Sequence, residues 1–122
     1  LGDVYKRQLH RHPDIDICLS HAGGTMTSLI GRFNRACTKR PWVPEHLQFE
    51  GAFEESLQKL WFDTHVHDPR VLNWVIDIMS TNKLLLGTNF AGWDQHAMTQ
   101  DIPADLAVTM ADNAKRLLRV NP

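Results

Sequence analysis

The stretch LLLGTNF, at residues 84–90, carries the pattern that decides the fold of this chain. Its run of leucines ends at Gly87, and polar residues follow where a buried strand would run out. In α/β proteins the carboxyl ends of parallel strands line the functional face. We therefore predict a buried strand at residues 83–88 and a functional position at Asn89, directly after it.

Two earlier segments have the same form as this one. Residues 15–20 (IDICLS) and 60–66 (LWFDTHV) are short, rich in apolar residues and followed by polar ones, which favours strands over helices. Each predicted strand ends in polar residues, and two of the three ends contain histidine. This recurrence predicts one shared functional edge.

Helical patterns lie between and after these strands. Residues 25–37 have apolar positions at helical spacing with Thr25 as a plausible N-cap, and Asp68 can cap a second helix that begins at Pro69. A third helix follows Pro103. The alternation of strands and helices predicts an α/β fold with a parallel sheet and right-handed crossovers.

The composition limits the class of protein. The chain has 122 residues, 43% of them hydrophobic, and a formal net charge of -1, which predicts one compact unit and no nucleic-acid or anionic-membrane partner. No apolar run approaches the roughly 20 residues of a membrane helix. Cys18 and Cys37 do not make a disulfide framework, so we expect a reducing, cytoplasmic setting with both as small core residues.

The first residues differ in character from the rest. The string LGDVYKRQ, residues 1–8, resembles one reading frame of a transposon-end adaptor used in sequencing-library preparation. We interpret residues 1–8 as non-native and residues 9–122 as part of one domain, the alternative being an ordinary polar N-terminal segment.

Three histidines follow the predicted strands. His21 precedes two glycines, and it fits either a proton shuttle or a buried histidine bonded to a carbonyl group. His65 and His67 would share a face of a strand, as zinc ligands can. Because no third ligand is near in sequence, we favour the interpretation that this pair only supports the turn before Asp68.

Several segments, taken in order, are similar to one family. HPDIDICLSHAGG, a Gly-Arg pair ending eleven residues after His21, FDTHVHDPRVL, LLLGTNF and DNAKRLL resemble the amidohydrolase-2 family, and within it the aminocarboxymuconate-semialdehyde decarboxylase-like metal-dependent decarboxylases. The resemblance covers about residues 12–120. It implies that the chain is the C-terminal part, about the last three β/α units, of a TIM (β/α)8 barrel.

The resemblance also implies roles for individual residues. His21 matches a catalytic histidine that helps to activate water and move a proton. Arg32 matches an arginine that grips the substrate carboxylate across a dimer interface, as a bidentate guanidinium can. Asn89 stands where the family has an aspartate ligand to one divalent metal, usually zinc, whose other ligands lie upstream. Phe90 follows in the same motif and is expected to contact substrate.

Asn89 is where the sequence departs from the family. An amide offers a metal only a neutral oxygen, so the affinity of the site for a metal should fall, and Asp94, five residues later, is the candidate to compensate. We expect an enzyme that removes CO2 from an unsaturated or aromatic carboxylic acid, a small molecule, and a possible homodimer through the Arg32 helix. A metal-dependent hydrolase and a non-catalytic homologue with a decayed metal site remain alternatives.

Overall fold

The fold is built around a small parallel sheet. A computed structural model describes residues 9–95 and 102–120, and its three parallel strands lie in the order β1 (Cys18–Leu19), β2 (Trp61–Asp63) and β3 (Leu84–Leu85). The parallel α/β arrangement is therefore confirmed. The strands are shorter than the predicted ranges 15–20, 60–66 and 83–88, with two or three residues each in the ladder. The interpretation of residues 1–8 falls outside the described residues.

Helices follow each strand and cover the sheet. The described α-helices are α1 (Thr25–Ser28), α2 (Ile30–Lys39), α3 (Ala52–Leu57), α4 (Pro69–Met79) and α5 (Ala104–Leu118), with short 3-10 turns at His21–Gly23, Glu45–Leu47 and Thr81–Lys83. The helix predicted after Pro103 is present as α5. None of the helices in the described ranges has the length and apolar character to cross a bilayer.

The start of α4 is as predicted, whereas the start of α1 is not. Asp68 caps α4, and its carboxylate accepts a hydrogen bond from the Arg70 N–H at 2.9 Å. The prediction of one helix from Thr25 with that residue as its cap is wrong, because Gly24 occupies the cap position and Leu29, at φ -110° and ψ 15°, separates α1 from α2. Thr27 instead donates its hydroxyl to the Gly24 carbonyl at 3.1 Å, which ties α1 to the preceding turn.

The centre of the core lies on β2. Phe62 pairs with Leu19 on one side and Leu84 on the other, and its side chain is fully buried. Cys37 is also in this core, but Cys18 is exposed, so the prediction that both cysteines are core residues is wrong for Cys18. The reason is the pleat: Cys18 and Leu19 point to opposite faces of β1, and only Leu19 faces the helices.

Candidate functional site

A left-handed turn follows β1 and presents His21. Four consecutive residues have positive φ: 54° at His21, 53° at Ala22, 77° at Gly23 and 56° at Gly24. The first two are not glycine, and such backbone is strained and concentrated at functional sites. Gly23 is required for a second reason, since a Cβ there would lie 2.8 Å from the Phe62 ring. The turn is thus pressed onto the central strand.

Asp63, the last residue of β2, connects this turn to the next strand end. Its Oδ1 accepts a hydrogen bond from the backbone N–H of Ala22 at 3.4 Å and from the N–H of His65 at 3.1 Å. The imidazoles of His21 and His65 consequently face each other edge-on, with their ring centroids 5.3 Å apart. One carboxylate therefore positions both histidines.

Gly87, at the end of β3, allows a third segment to approach the same place. A Cβ at Gly87 would lie 2.8 Å from the His65 backbone nitrogen and 3.0 Å from the Asp63 Cβ. The Gly87 N–H also donates to the Thr64 hydroxyl at 3.3 Å. The segment leading to Asn89 therefore runs directly beside His65, an approach that only glycine at position 87 permits.

Asp94 contacts three polar side chains near the carboxyl ends of β2 and β3. Its Oδ2 lies 3.1 Å from the Nε2 of His65 and 3.5 Å from the Nε2 of His67, and its Oδ1 accepts a hydrogen bond from the Asn89 amide. The hydrogen bond from His65 is the main reason that the pKa of Asp94 is lowered to about 2; burial opposes the shift, while Asn89 and His67 add to it. Asp94 is therefore ionised at neutral pH.

Two imidazoles and one carboxylate make a donor set that suits a metal ion. One ligand atom from each of His65, His67 and Asp94 lies within 4.8 Å of the others. Histidine and carboxylate ligands in this number are typical of zinc sites that keep a position open. His65 is 5% exposed, and its Nδ1 has no hydrogen-bond partner among the described residues. The residues present thus fit a divalent cation.

An apolar cavity opens next to the His21 turn. Its volume is about 460 Å³, and it is lined by the turn and by side chains of α1 to α3, among them Met26, Phe33 and Phe53. Ligand sites are concave and mostly apolar with a few polar groups at one end. The lining also includes Leu19, Leu57 and Leu60 of the core, so the cavity lies on the helix side of the sheet, with His21 at its edge.

The structure brings together two of the four residues singled out by sequence. A chain of contacts through His65 and Asp94 connects His21 with Asn89. Arg32 lies outside this cluster, in a groove of about 340 Å³ on α2 that other basic residues share. Phe90, which is 83% exposed, follows Asn89 in the same loop.

Sequence reasoning missed two carboxylates and undervalued one histidine pair. In the sequence, Asp63 is only one letter of the FDTHVHDPRVL motif. Asp94 is considered only as a residue that could compensate for the missing ligand at position 89. The two histidines of HVH do more than support the turn before α4, because both rings face Asp94. A possible signal was the clustering of these polar residues after strand ends.

Comparisons with known proteins identify the family. The sequence profile of a family described as Amidohydrolase matches residues 5–122. A 2-amino-3-carboxymuconate-6-semialdehyde decarboxylase of Dictyostelium discoideum is 30% identical over 89 residues, which are 73% of this chain and 23% of that protein. A protein of the same name from Caenorhabditis elegans is 28% identical over 82 residues, 64% of this chain and 19% of that protein.

A solved structure is similar as well. The crystal structure of Metarhizium anisopliae IDCase in apo form superposes with a TM-score of 0.61 at 16% sequence identity, over 94% of this chain and 32% of that one. At this identity the likeness concerns the fold alone. The chain spans about a quarter or less of the length of the curated relatives it matches.

Proposed function

The chain belongs to the amidohydrolase family and forms about three β/α units of a TIM (β/α)8 barrel, and we propose that its protein is a metal-dependent carboxy-lyase. The substrate class is an unsaturated or aromatic carboxylic acid, which loses CO2 without oxidation. Two relatives carry the name of a decarboxylase, and this supports the reaction type.

The observation that carries the proposal is the position of His21. Its imidazole stands on a strained turn at the carboxyl end of β1, beside an apolar cavity of about 460 Å³ and 5.3 Å, centroid to centroid, from the ring of His65. A histidine titrates near neutral pH and can donate a proton at such a place. An apolar surrounding also favours loss of charge from a carboxylate as neutral CO2.

The proton balance assigns His21 its role. When the bond between carbon and carboxylate breaks, CO2 leaves and the electron pair stays on the substrate carbon, which then takes a proton from His21. His21 then takes a proton back from solvent. In the net reaction, the substrate carboxylate and one proton are converted into CO2 and a new C–H bond. A bound metal would supply Lewis acidity that stabilises the negative charge developing on the substrate.

Arg32 is proposed to hold an anionic group of the substrate. It lies on α2 with Arg35 and Lys39 around a basic groove, outside the His21 cluster of its own chain. A guanidinium binds a carboxylate with two parallel hydrogen bonds and stays charged at any working pH. Delivery to a neighbouring subunit through a homodimer fits this position, and Phe90, exposed in the loop after Asn89, would contact the same substrate.

The test measures CO2 release and proton transfer together. The full-length product of the gene is incubated in D2O with a panel of unsaturated and aromatic carboxylic acids, and products are analysed by mass spectrometry. We expect CO2 and one deuterium at the carbon that lost the carboxylate. His21→Asn should lower the rate by about 10²–10⁴-fold, the usual contribution of a general acid or base, with bound metal unchanged.

His12→Asn is the matched control, since His12 is exposed and lies outside the cluster, and its rate should equal that of the wild type. An undiminished rate in His21→Asn would contradict the proposed role of His21. Products that incorporate solvent oxygen without CO2 release would instead identify the hydrolase alternative.

Asn89 favours a second candidate, a non-catalytic homologue. An amide in place of the family's aspartate removes a charged metal ligand, which should cost at least the 10–100-fold in affinity that changes around a metal site cause. In that case the full-length protein would bind no stoichiometric metal, and no acid in the panel would react.

A further inference from the structure

We propose that His65, His67 and Asp94 form a divalent-cation site, best suited to zinc, and that Asn89 is the residue that positions Asp94 within it. The family resemblance implies no metal ligand at any of these three positions. This inference is linked to the proposed function at one point, since both assume that the protein binds a divalent metal.

The spacing of the donor atoms supports the site. Zinc bonds to imidazole nitrogen and carboxylate oxygen are about 2.0–2.2 Å long, so neighbouring ligand atoms of a tetrahedron lie about 3.3–3.5 Å apart. The distances from Asp94 Oδ2 to the Nε2 atoms of His65 and His67 are 3.1 Å and 3.5 Å. All three residues offer a ligand atom within 4.8 Å of the others, so small side-chain movements suffice.

The burial of His65 is a further observation. Its side chain is 4% exposed, its Nε2 faces Asp94, and its Nδ1 has no hydrogen-bond partner in the described residues. A cation bound at Nε2 would fix the ring proton on Nδ1, and histidines that bind metal usually donate this second N–H to an acceptor. The deficit at Nδ1 therefore concerns the acceptor for this proton, and the cation itself is argued from the spacing of the three ligand atoms.

The charge of the cluster is also suitable. Asp94 contributes one negative charge, and the imidazoles of His65 and His67 are neutral ligands when they bind a metal. A divalent cation would therefore keep one positive charge, which attracts an anionic substrate to the edge of the sheet. His21, whose ring stacks edge-on against His65, would then stand between the cation and the apolar cavity.

Asn89 explains how Asp94 is held. Its amide donates to Asp94 Oδ1, which leaves Oδ2 free to face the two imidazoles. Its backbone has a φ of 45°, a left-handed conformation that asparagine tolerates better than most residues. An aspartate at position 89 would put two carboxylates side by side. The departure from the family at Asn89 and the presence of Asp94 are therefore coupled.

The experiment measures metal binding directly. The full-length product of the gene is used, because the isolated 122-residue chain is expected to aggregate or unfold. Zinc is titrated against a chromogenic chelator, and cobalt(II) is used as a spectroscopic probe of coordination. We expect one zinc per chain and a cobalt spectrum typical of tetrahedral nitrogen and oxygen ligands.

Three variants test the ligands. Asp94→Asn, His65→Gln and His67→Gln should each weaken zinc binding by more than about 10-fold, and Asp94→Glu should recover part of the loss. His67 is the decisive position because its side chain is 54% exposed, so its replacement does not disturb the core. His12→Gln, an exposed histidine outside the cluster, is the matched control and should bind zinc as the wild type does.

Equal zinc binding in the wild type, His67→Gln and Asp94→Asn would overturn the site, as would the absence of stoichiometric zinc in the wild type. Asn89→Ala tests the positioning role: about 10-fold weaker zinc with an altered cobalt spectrum is expected, and an unchanged affinity would refute it. If the full-length protein binds zinc through the three ligands but releases no CO2, the proposed function is contradicted and the metal site is supported. If it releases CO2 and its zinc binding is unaffected by His67→Gln, the metal site is contradicted and the proposed function is supported.

Discussion

At the scale of single residues, Asn113 holds two elements together. It lies in the middle of α5, is 2% exposed, and its amide donates to the Thr81 carbonyl at 2.7 Å and the Leu84 carbonyl at 2.8 Å. These bonds fasten α5 to the Thr81–Lys83 turn and to Leu84, the first residue of both β3 and the LLLGTNF segment. A residue that the sequence offers only as part of the DNAKRLL motif therefore holds the start of β3.

We predict that Asn113→Ala destabilises this attachment by about 1–3 kcal/mol, the usual cost of leaving a buried acceptor unpaired. The measurement is amide hydrogen exchange in the full-length product of the gene, followed in peptides that contain β3 and the Thr81–Lys83 turn. Asn73→Ala, at an exposed position of α4, is the control. Equal protection in both variants would contradict the prediction.

At the scale of elements, Trp61 on β2 is where strand, turn and helix meet. Its indole N–H donates to Asp16 at 2.8 Å, and the cations of Lys83 and Arg116 lie over its ring at 4.3 Å and 5.3 Å from the centroid. Arg119, at the end of α5, lies 3.6 Å from the same carboxylate. The first residue of β2 is thus surrounded by charged side chains from the segment before β1, from the turn before β3 and from α5.

This arrangement predicts a dependence on pH. The Trp61 hydrogen bond is the largest cause that lowers the pKa of Asp16, with Arg119 and Lys83 acting in the same direction against burial. Because the folded pKa is depressed, the contribution of Asp16 to stability is complete above the ordinary value of about 3.9 and is lost as the pH falls through the folded value.

The measurement uses the full-length protein labelled with ¹⁵N-tryptophan, in which the Trp61 indole resonance, assigned with Trp61→Phe, should shift with an inflection below the ordinary aspartate pKa. In Asp16→Asn this titration should be absent. An inflection at or above the ordinary value would show that the hydrogen bond and the cations do not hold the carboxylate in its charged form.

At the scale of the whole molecule, the sheet is narrow and open. Its strands contain two or three residues each, and β1 and β3 are both edges of the described sheet. Several large apolar side chains are more than half exposed: Trp42, Phe90, Trp93, Val108, Leu118 and Val120. Open edges and exposed apolar groups are managed in complete barrels by closure.

We therefore predict that the isolated 122-residue chain aggregates or unfolds without a sharp transition. The check is calorimetry together with light scattering and the binding of a hydrophobic dye. Dye binding at low temperature is expected because the apolar surface is already accessible. A soluble monomer with one cooperative thermal transition would contradict this.

The sequence by itself determined the order of strands and helices, the polar strand ends, the cap at Asp68 and the family, because these depend on residues that are close neighbours along the chain. Only the tertiary structure decided that α1 and α2 are separate, that Asn113 bonds to β3 and that Asp94 faces His65, 29 residues away. The physical reason is that such contacts depend on the parallel register and on the close approach at Gly87, where a Cβ would lie 2.8 Å from the backbone of His65. The local sequence pattern does not contain this information. The spacing of residues along one strand stays the same whichever residues of the neighbouring strand lie opposite them.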